Sequence, residues 1–242
     1  MPASSRSLAE LQALLSGLTR DGYSRRPEMP FGVEGIDLLL ADGGLRLDSL
    51  HDVTAATPTL DDEIATTLFL AGLAARCWGP VLWVASREDL FAPDLSAVGL
   101  TPARLIRVAA ADDADVTRLM EEGLRHRGLG AVIGDVRRAN PAAAARLGTA
   151  AEGGETIALL HRRHGSDDPF AAPSSARTRW RIAAPRPPRS GRARWRLDCA
   201  YQVDGIPFTA DVRPCDETGR LAAVPRDVGR AAPLREFHRE AA

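Results

Sequence analysis

The sequence contains no lysine; all 31 of its cationic side chains are arginine. That excludes a Schiff-base lysine, and it excludes the lysine a phosphate-binding loop sets against terminal phosphates. A GC-rich coding sequence accounts for such a bias, and the chemical consequence holds whatever its origin. Cysteine is scarce: Cys77, Cys199 and Cys215 are an odd number, far apart, with no CxxC. They read as reduced thiols of a cytoplasmic protein, not as a disulfide framework or a zinc site. His51, His126, His161, His164 and His238 show neither HxxxH nor HExxH spacing, so no metal and no cofactor is expected. Ser49 and Ser86 lack a GxSxG setting, which argues against a hydrolase. No apolar run approaches the ~18 residues a membrane span needs, and the opening MPASSRSLAELQALLSGL is too polar for a secretory signal.

What is present is an acidic body followed by a basic strip. Residues 1–160 carry 15 Arg against 22 Asp and Glu, whereas residues 161–242 carry 16 Arg against 10. The excess is concentrated in 161–196, with 10 Arg and two Asp.

The apolar periodicity predicts an α/β protein. Leu8, Leu11, Leu14, Leu15 and Leu18 have helical spacing, with Ser7 as a plausible N-cap. A short helix is expected to end at Gly43-Gly44, before a strand over about 49–53. Residues 59–77 read as a buried helix capped by Thr59, with Asp61, Asp62 and Glu63 in its first turn. Strands VLWVA (81–85), LIRVA (105–109), AVIGDV (131–136) and TIALLH (156–161) alternate with helices over 93–100, 113–127 and 140–152. Such alternation implies a mostly parallel sheet flanked by helices. Beyond 161 the pattern changes. RTRWRIA (177–183), RARWRLDCAY (192–201) and PFTADVR (207–213) suggest a C-terminal antiparallel β extension with an arginine face and an apolar face. Trp180 and Trp195 are expected on the apolar side as core anchors. The organisation expected is an N-terminal helix and linker (1–27), a core (28–161), a basic loop and β extension (162–221), and a loose tail (222–242).

The order "short helix, GGL, strand, loop, buried helix, strand" resembles the core of RecA-type recombinases. Gly43-Gly44-Leu45 and the strand over 50–53 fix the register of AATPTLDD against their phosphate-binding loop. The first loop glycine then falls on Ala55, the second on Leu60, the lysine on Asp61 and the Ser/Thr on Asp62. Glycines let backbone N–H groups turn around phosphate oxygens, which Ala55 and Leu60 do poorly. Two like charges ~4 Å apart cost roughly 4 kcal/mol at an effective dielectric of ~20, so a triphosphate is not expected between two aspartates. Asp61 and Asp62 are read as helix-capping acids, with a metal site as the rival. The resemblance places the catalytic acid near Glu88, with Arg87 equally close to the register. It places the magnesium-side acid at Asp135, whose plainer role is to cap the sheet edge. A noncanonical ATPase would depend on these two acids.

The stretches MPFGVEGIDLLLADGGLRLDSLHDV, DLFAPDLSAVGL, MEEGLRHRGLGAVIGDV, TRWRIA, ARWRL and CDETGRLA, in this order over about 28–224, resemble the ImuA family of RecA-like mutagenesis proteins. The resemblance implies a degenerate loop and an accessory role without chemistry of its own. It implies damage-induced translesion synthesis with an ImuB-like Y-family polymerase homologue, and indirectly with an error-prone C-family polymerase and the sliding clamp. RecA is a further possible partner, and the implied location is the cytoplasm, at the nucleoid during damage. A SulA-type division inhibitor acting on FtsZ, and a regulator of RecA filaments, are alternative readings. Arg162, Arg163, Arg177, Arg179, Arg181, Arg192, Arg194 and Arg196 form the candidate contact strip. Basic residues beside aromatics serve single-stranded DNA, an acidic protein partner, or simply a solvated surface.

Overall fold

The computed structural model describes residues 27–86, 95–126, 128–138, 140–164, 168–185 and 193–224. The helix expected over 7–18, Glu88, Arg192 and the tail beyond 224 lie outside them.

Strand β1 (Glu28–Met29) pairs with β2 (Leu45–Arg46) in a small ribbon, with the four-residue helix α1 (Glu34–Asp37) between them. Gly43 closes the return with φ 73°, and a Cβ on Gly44 would stand 2.6 Å from the Met29 carbonyl carbon. The GGL motif is therefore a steric requirement of this ribbon.

Next come β3 (Leu50–Ala55), α2 (Leu60–Arg76), β4 (Val81–Ala85), β5 (Leu105–Ala109), α3 (Asp113–Arg125), β6 (Ala131–Val136), α4 (Pro141–Ala151) and β7 (Ile157–Arg162). Asp112 caps α3 by accepting from Asp115 N, and Asn140 caps α4 by accepting from Ala142 N. β8 (Thr178–Ala183), β9 (Trp195–Gln202), β10 (Phe208–Arg213) and β11 (Ala222–Ala223) complete the described elements.

Among the described residues one nine-stranded sheet runs β11-β10-β9-β8-β3-β7-β6-β4-β5. All pairings from β5 to β8 are parallel, and those from β8 to β11 are antiparallel. The antiparallel part is thus no separate lobe. β8 lies beside β3, with Val53 opposite Trp180, and hands the sheet on to β9. The line expected between core and extension at 161 falls inside β7.

Two apolar layers cover the sheet. Helix α2 seals one face with Phe69, Leu70 and Leu73 against Trp83, Ile133, Leu159, Trp180, Ile182 and Trp195. Helices α3 and α4 seal the other, with Val116, Met120, Leu124 and Leu147 against Val84, Val132 and Leu160. Strand β8 alternates buried and half-buried residues, so Trp180 enters the core while Arg179 and Arg181 face the other way. Trp180 stands edge-on to Phe31 and Phe208, with ring centroids 5.4 and 5.7 Å away.

Candidate functional site

Ala55, Asp62, Asp135, Arg162 and Arg163 gather at the carboxyl ends of β3, β6 and β7, whereas Arg177 lies at the opposite, amino end of β8. The loop after β3 is tied from both sides. Ala56 N donates to Ile182 O at 2.7 Å, and the His164 ring donates to Ala55 O at 2.7 Å through Nε2. Asp62, in the first turn of α2, folds back over the loop. Its Oδ2 accepts from Thr57 N at 3.1 Å and from the Thr57 hydroxyl at 2.6 Å, while its Oδ1 accepts from Ala184 N at 2.7 Å. A carboxylate of the chain itself thus satisfies the donors of this loop and ties it to the end of β8. Thr59, the expected cap, makes no side-chain capping bond; its hydroxyl meets Thr57 Oγ1 at 2.9 Å. Ala55 is fully buried, Leu60 is exposed, and Asp61 lines a shallow groove with Ile64 and Arg194.

Asp135, at the end of β6, is held as tightly. Its Oδ1 lies 2.7 Å from His161 Nδ1 and its Oδ2 accepts from Arg163 at 3.2 Å. Burial pushes this carboxyl up, but the His161 ring and Arg163 guanidinium outweigh it and hold the group below the ordinary range. Glu63 closes the cluster from α2, with Oε2 3.5 Å from Arg163 and 3.7 Å from His161 Nε2. His161 and Glu63 were not singled out from sequence as members of a site. Their signal was a histidine ending an apolar strand and an acid in a helix's first turn, and neither is specific. Among the described residues no group of three or more His, Cys, Asp or Glu side chains is placed to hold a metal ion.

The arginine strip divides. Arg162 is buried, not on the surface where a contact strip needs it, because its side chain turns to Asp52, with Nε 2.7 Å from Oδ2. Arg179 adds a second cation 3.5 Å from the same oxygen. Burial still raises the Asp52 carboxyl above its usual range, against these two arginines and Ser174. Arg179 and Arg181 both lie over the Phe170 ring, 4.2 and 4.9 Å from its centroid, and Arg181 pairs with Asp168. This strap over 168–176 lies across the very arginines that were candidates for an outside contact. Arg177 clasps Asp42 with two bonds of 2.7 and 2.8 Å, and Arg196 pairs with Asp211 on the neighbouring strand. Arg194 is half-buried just before the start of β9 and lines the groove beside Trp195. Ion pairs on the surface are worth little, but Arg162, Arg177, Arg179, Arg181 and Arg196 each already have an acidic or aromatic neighbour to leave before meeting another.

No helix among the described residues is long and apolar enough to cross a membrane. No family model matches the chain. Over 200 residues it is 37% identical to Protein ImuA of Caulobacter vibrioides, strain NA1000 / CB15N, covering 75% of this chain and 81% of the relative. The same identity and coverage hold for Protein ImuA of strain ATCC 19089 / CIP 103742 / CB 15. The crystal structure of SulA from Pseudomonas aeruginosa overlays with a TM-score of 0.40 and 21% identity, over 48% of this chain and 98% of that one. On the likeness to the two Caulobacter proteins, across three quarters of its length, the chain belongs to the ImuA family.

Proposed function

We propose that the chain is a non-catalytic adaptor in damage-induced, error-prone translesion synthesis, and that it binds an ImuB-like Y-family polymerase homologue. Through that partner it serves the error-prone C-family polymerase and the sliding clamp, at the nucleoid when DNA is damaged. The observation that carries the reading is Asp62. Its carboxylate takes the N–H groups of Thr57 and Ala184, and Asp61 beside it adds a second negative charge. A nucleotide would have to displace one anion and sit beside another, with no lysine in the chain to offset either. Asp135 supports the same reading, since His161 and Arg163 occupy its two oxygens. An adaptor needs a constant shape, and a loop closed by its own side chain supplies one.

The test is calorimetric titration of the full chain with the ImuB-like protein of its genome, with and without millimolar magnesium-ATP. The expected result is a complex of the same affinity in both conditions, no heat from nucleotide alone, and no phosphate released. Turnover of ATP that Asp135→Ala abolishes would overturn the non-catalytic part. Absence of a complex would overturn the adaptor part.

A further inference from the structure

Three large apolar side chains lie open to solvent on one side of the fold: Leu38 (77% exposed), Leu39 (43%) and Ile206 (72%). They come from the turn after α1 and from the β9–β10 hairpin, and one buried side chain joins the two. Gln202 donates from Nε2 to Leu39 O at 3.0 Å and to Ile206 O at 2.7 Å, and its Oε1 accepts from Ala41 N at 3.0 Å. Two carbonyls that share one nitrogen are neighbours. The hairpin is shaped to close on that amide. Asp204 adopts φ 60°, and a Cβ on Gly205 would stand 2.5 Å from the Gln202 side-chain carbon. The backbone of this apolar surface is therefore fixed before anything docks on it, which keeps the ordering cost of binding small.

The rim is acidic. Glu34 stands one helical turn before Leu38 on the same face. Asp204, with its side chain 80% exposed, flanks Ile206, and Asp42 follows Leu39. The nearby Arg177 pairs with Asp42 and, at the longer distance of 3.9 Å, with Asp204, so it offsets part of this charge while Glu34 and Asp204 remain exposed to a partner. This charge pattern selects the occupant. A polynucleotide is repelled, and a second copy of the chain would set acidic rim against acidic rim. A peptide segment with apolar anchors flanked by arginine or lysine matches both the centre and the edge. We infer that the Leu38–Leu39–Ile206 surface docks such a cation-flanked apolar segment of the partner protein. This rests on the adaptor reading, and it names a face of the molecule other than the arginine strip.

The probe is the ImuB-like protein of the same genome, titrated against the full chain and three variants. The first is Leu38→Ser with Ile206→Ser. The second is Glu34→Gln with Asp204→Asn, where asparagine keeps the positive φ accessible. The third is Arg194→Glu. All five positions are exposed or half-buried, so thermal midpoints close to that of the unmodified chain verify the fold. The expected result is binding at least tenfold weaker for the first variant. The second should lose threefold or more and show a flatter salt dependence, and the third should match the unmodified chain. Full-strength binding by the first variant would overturn the docking surface while leaving the adaptor intact. Loss of binding confined to Arg194→Glu would also overturn it, moving the contact to the strip. No binding by the unmodified chain would defeat the adaptor reading, and the docking surface with it.

Discussion

His51 lies fully inside the sheet, where the ring completes a one-way relay of donors. Trp180 Nε1 donates to Thr178 Oγ1 at 2.7 Å, the Thr178 hydroxyl meets His51 Nδ1 at 2.7 Å, and His51 Nε2 reaches Arg46 O at 2.8 Å. A carbonyl only accepts, so Nε2 carries the proton and Nδ1 receives the threonine's. Burial pushes the ring's pKa down to about 4, against the raising effect of the Arg46 carbonyl. The unfolded ring binds its proton near pH 6.5 and the folded one does not until about pH 4. Stability is therefore lost as pH falls through that window, by on the order of 3 kcal/mol from this group, and no further below it. Denaturant unfolding between pH 7 and 4 should show a shallower loss for His51→Gln than for the unmodified chain. Equal slopes would refute the assignment. Nothing local announced this role, because Thr178 lies 127 residues along the chain. Asp62 was more legible. Its register against a phosphate-binding loop marked it as a misplaced acid, yet that register could not reveal that the acid turns inward to Ala184.

At the scale of elements, the loop after β3 and the start of α2 act as a clasp between β3 and β8. Asp62 supplies the clasp, and hydrogen bonds to a charged acceptor contribute about 1.5–3 kcal/mol each when removal leaves the donors unmet. Asp62→Ala strands two half-buried backbone donors. It should cost about 2–3 kcal/mol in chemical denaturation, with faster amide exchange at Thr57 and Ala184. An unchanged midpoint would mean that water replaces the carboxylate without penalty. Most element limits were readable from apolar runs: β4, β5 and β6 match residue for residue, β4 and β6 because strands buried on both faces announce themselves, and the edge strand β5 by its short apolar run alone. The two-residue strands β1, β2 and β11 were not readable, because so short a segment has no period. Alternation along β8 predicted which side each residue faces. It could not predict that β8 pairs parallel with β3, which is decided by a partner more than 120 residues earlier.

Over the whole molecule the sheet is the unit. Trp83 on β4 and Trp195 on β9 lie on the same covered face, joined through β6, β7, β3 and β8. Loss of tryptophan fluorescence and loss of far-ultraviolet ellipticity should coincide in one denaturant transition. Two separated transitions would make the antiparallel strands an independent unit after all. Charge asymmetry along the chain did forecast the arginines' location but not their engagement, because most of their acidic partners, such as Asp42 and Asp52, sit in the acidic half of the sequence. The two halves of that asymmetry meet in the fold and largely cancel there.

The inward-turned carboxylate of Asp62 has a consequence for supply. A protein whose switch loop waits on nucleotide follows the cell's energy state, filling and emptying as triphosphate levels change. On the adaptor reading, a chain that carries the anion in its own sequence has no such dial, and its output is set by how many copies are made and how soon they are destroyed.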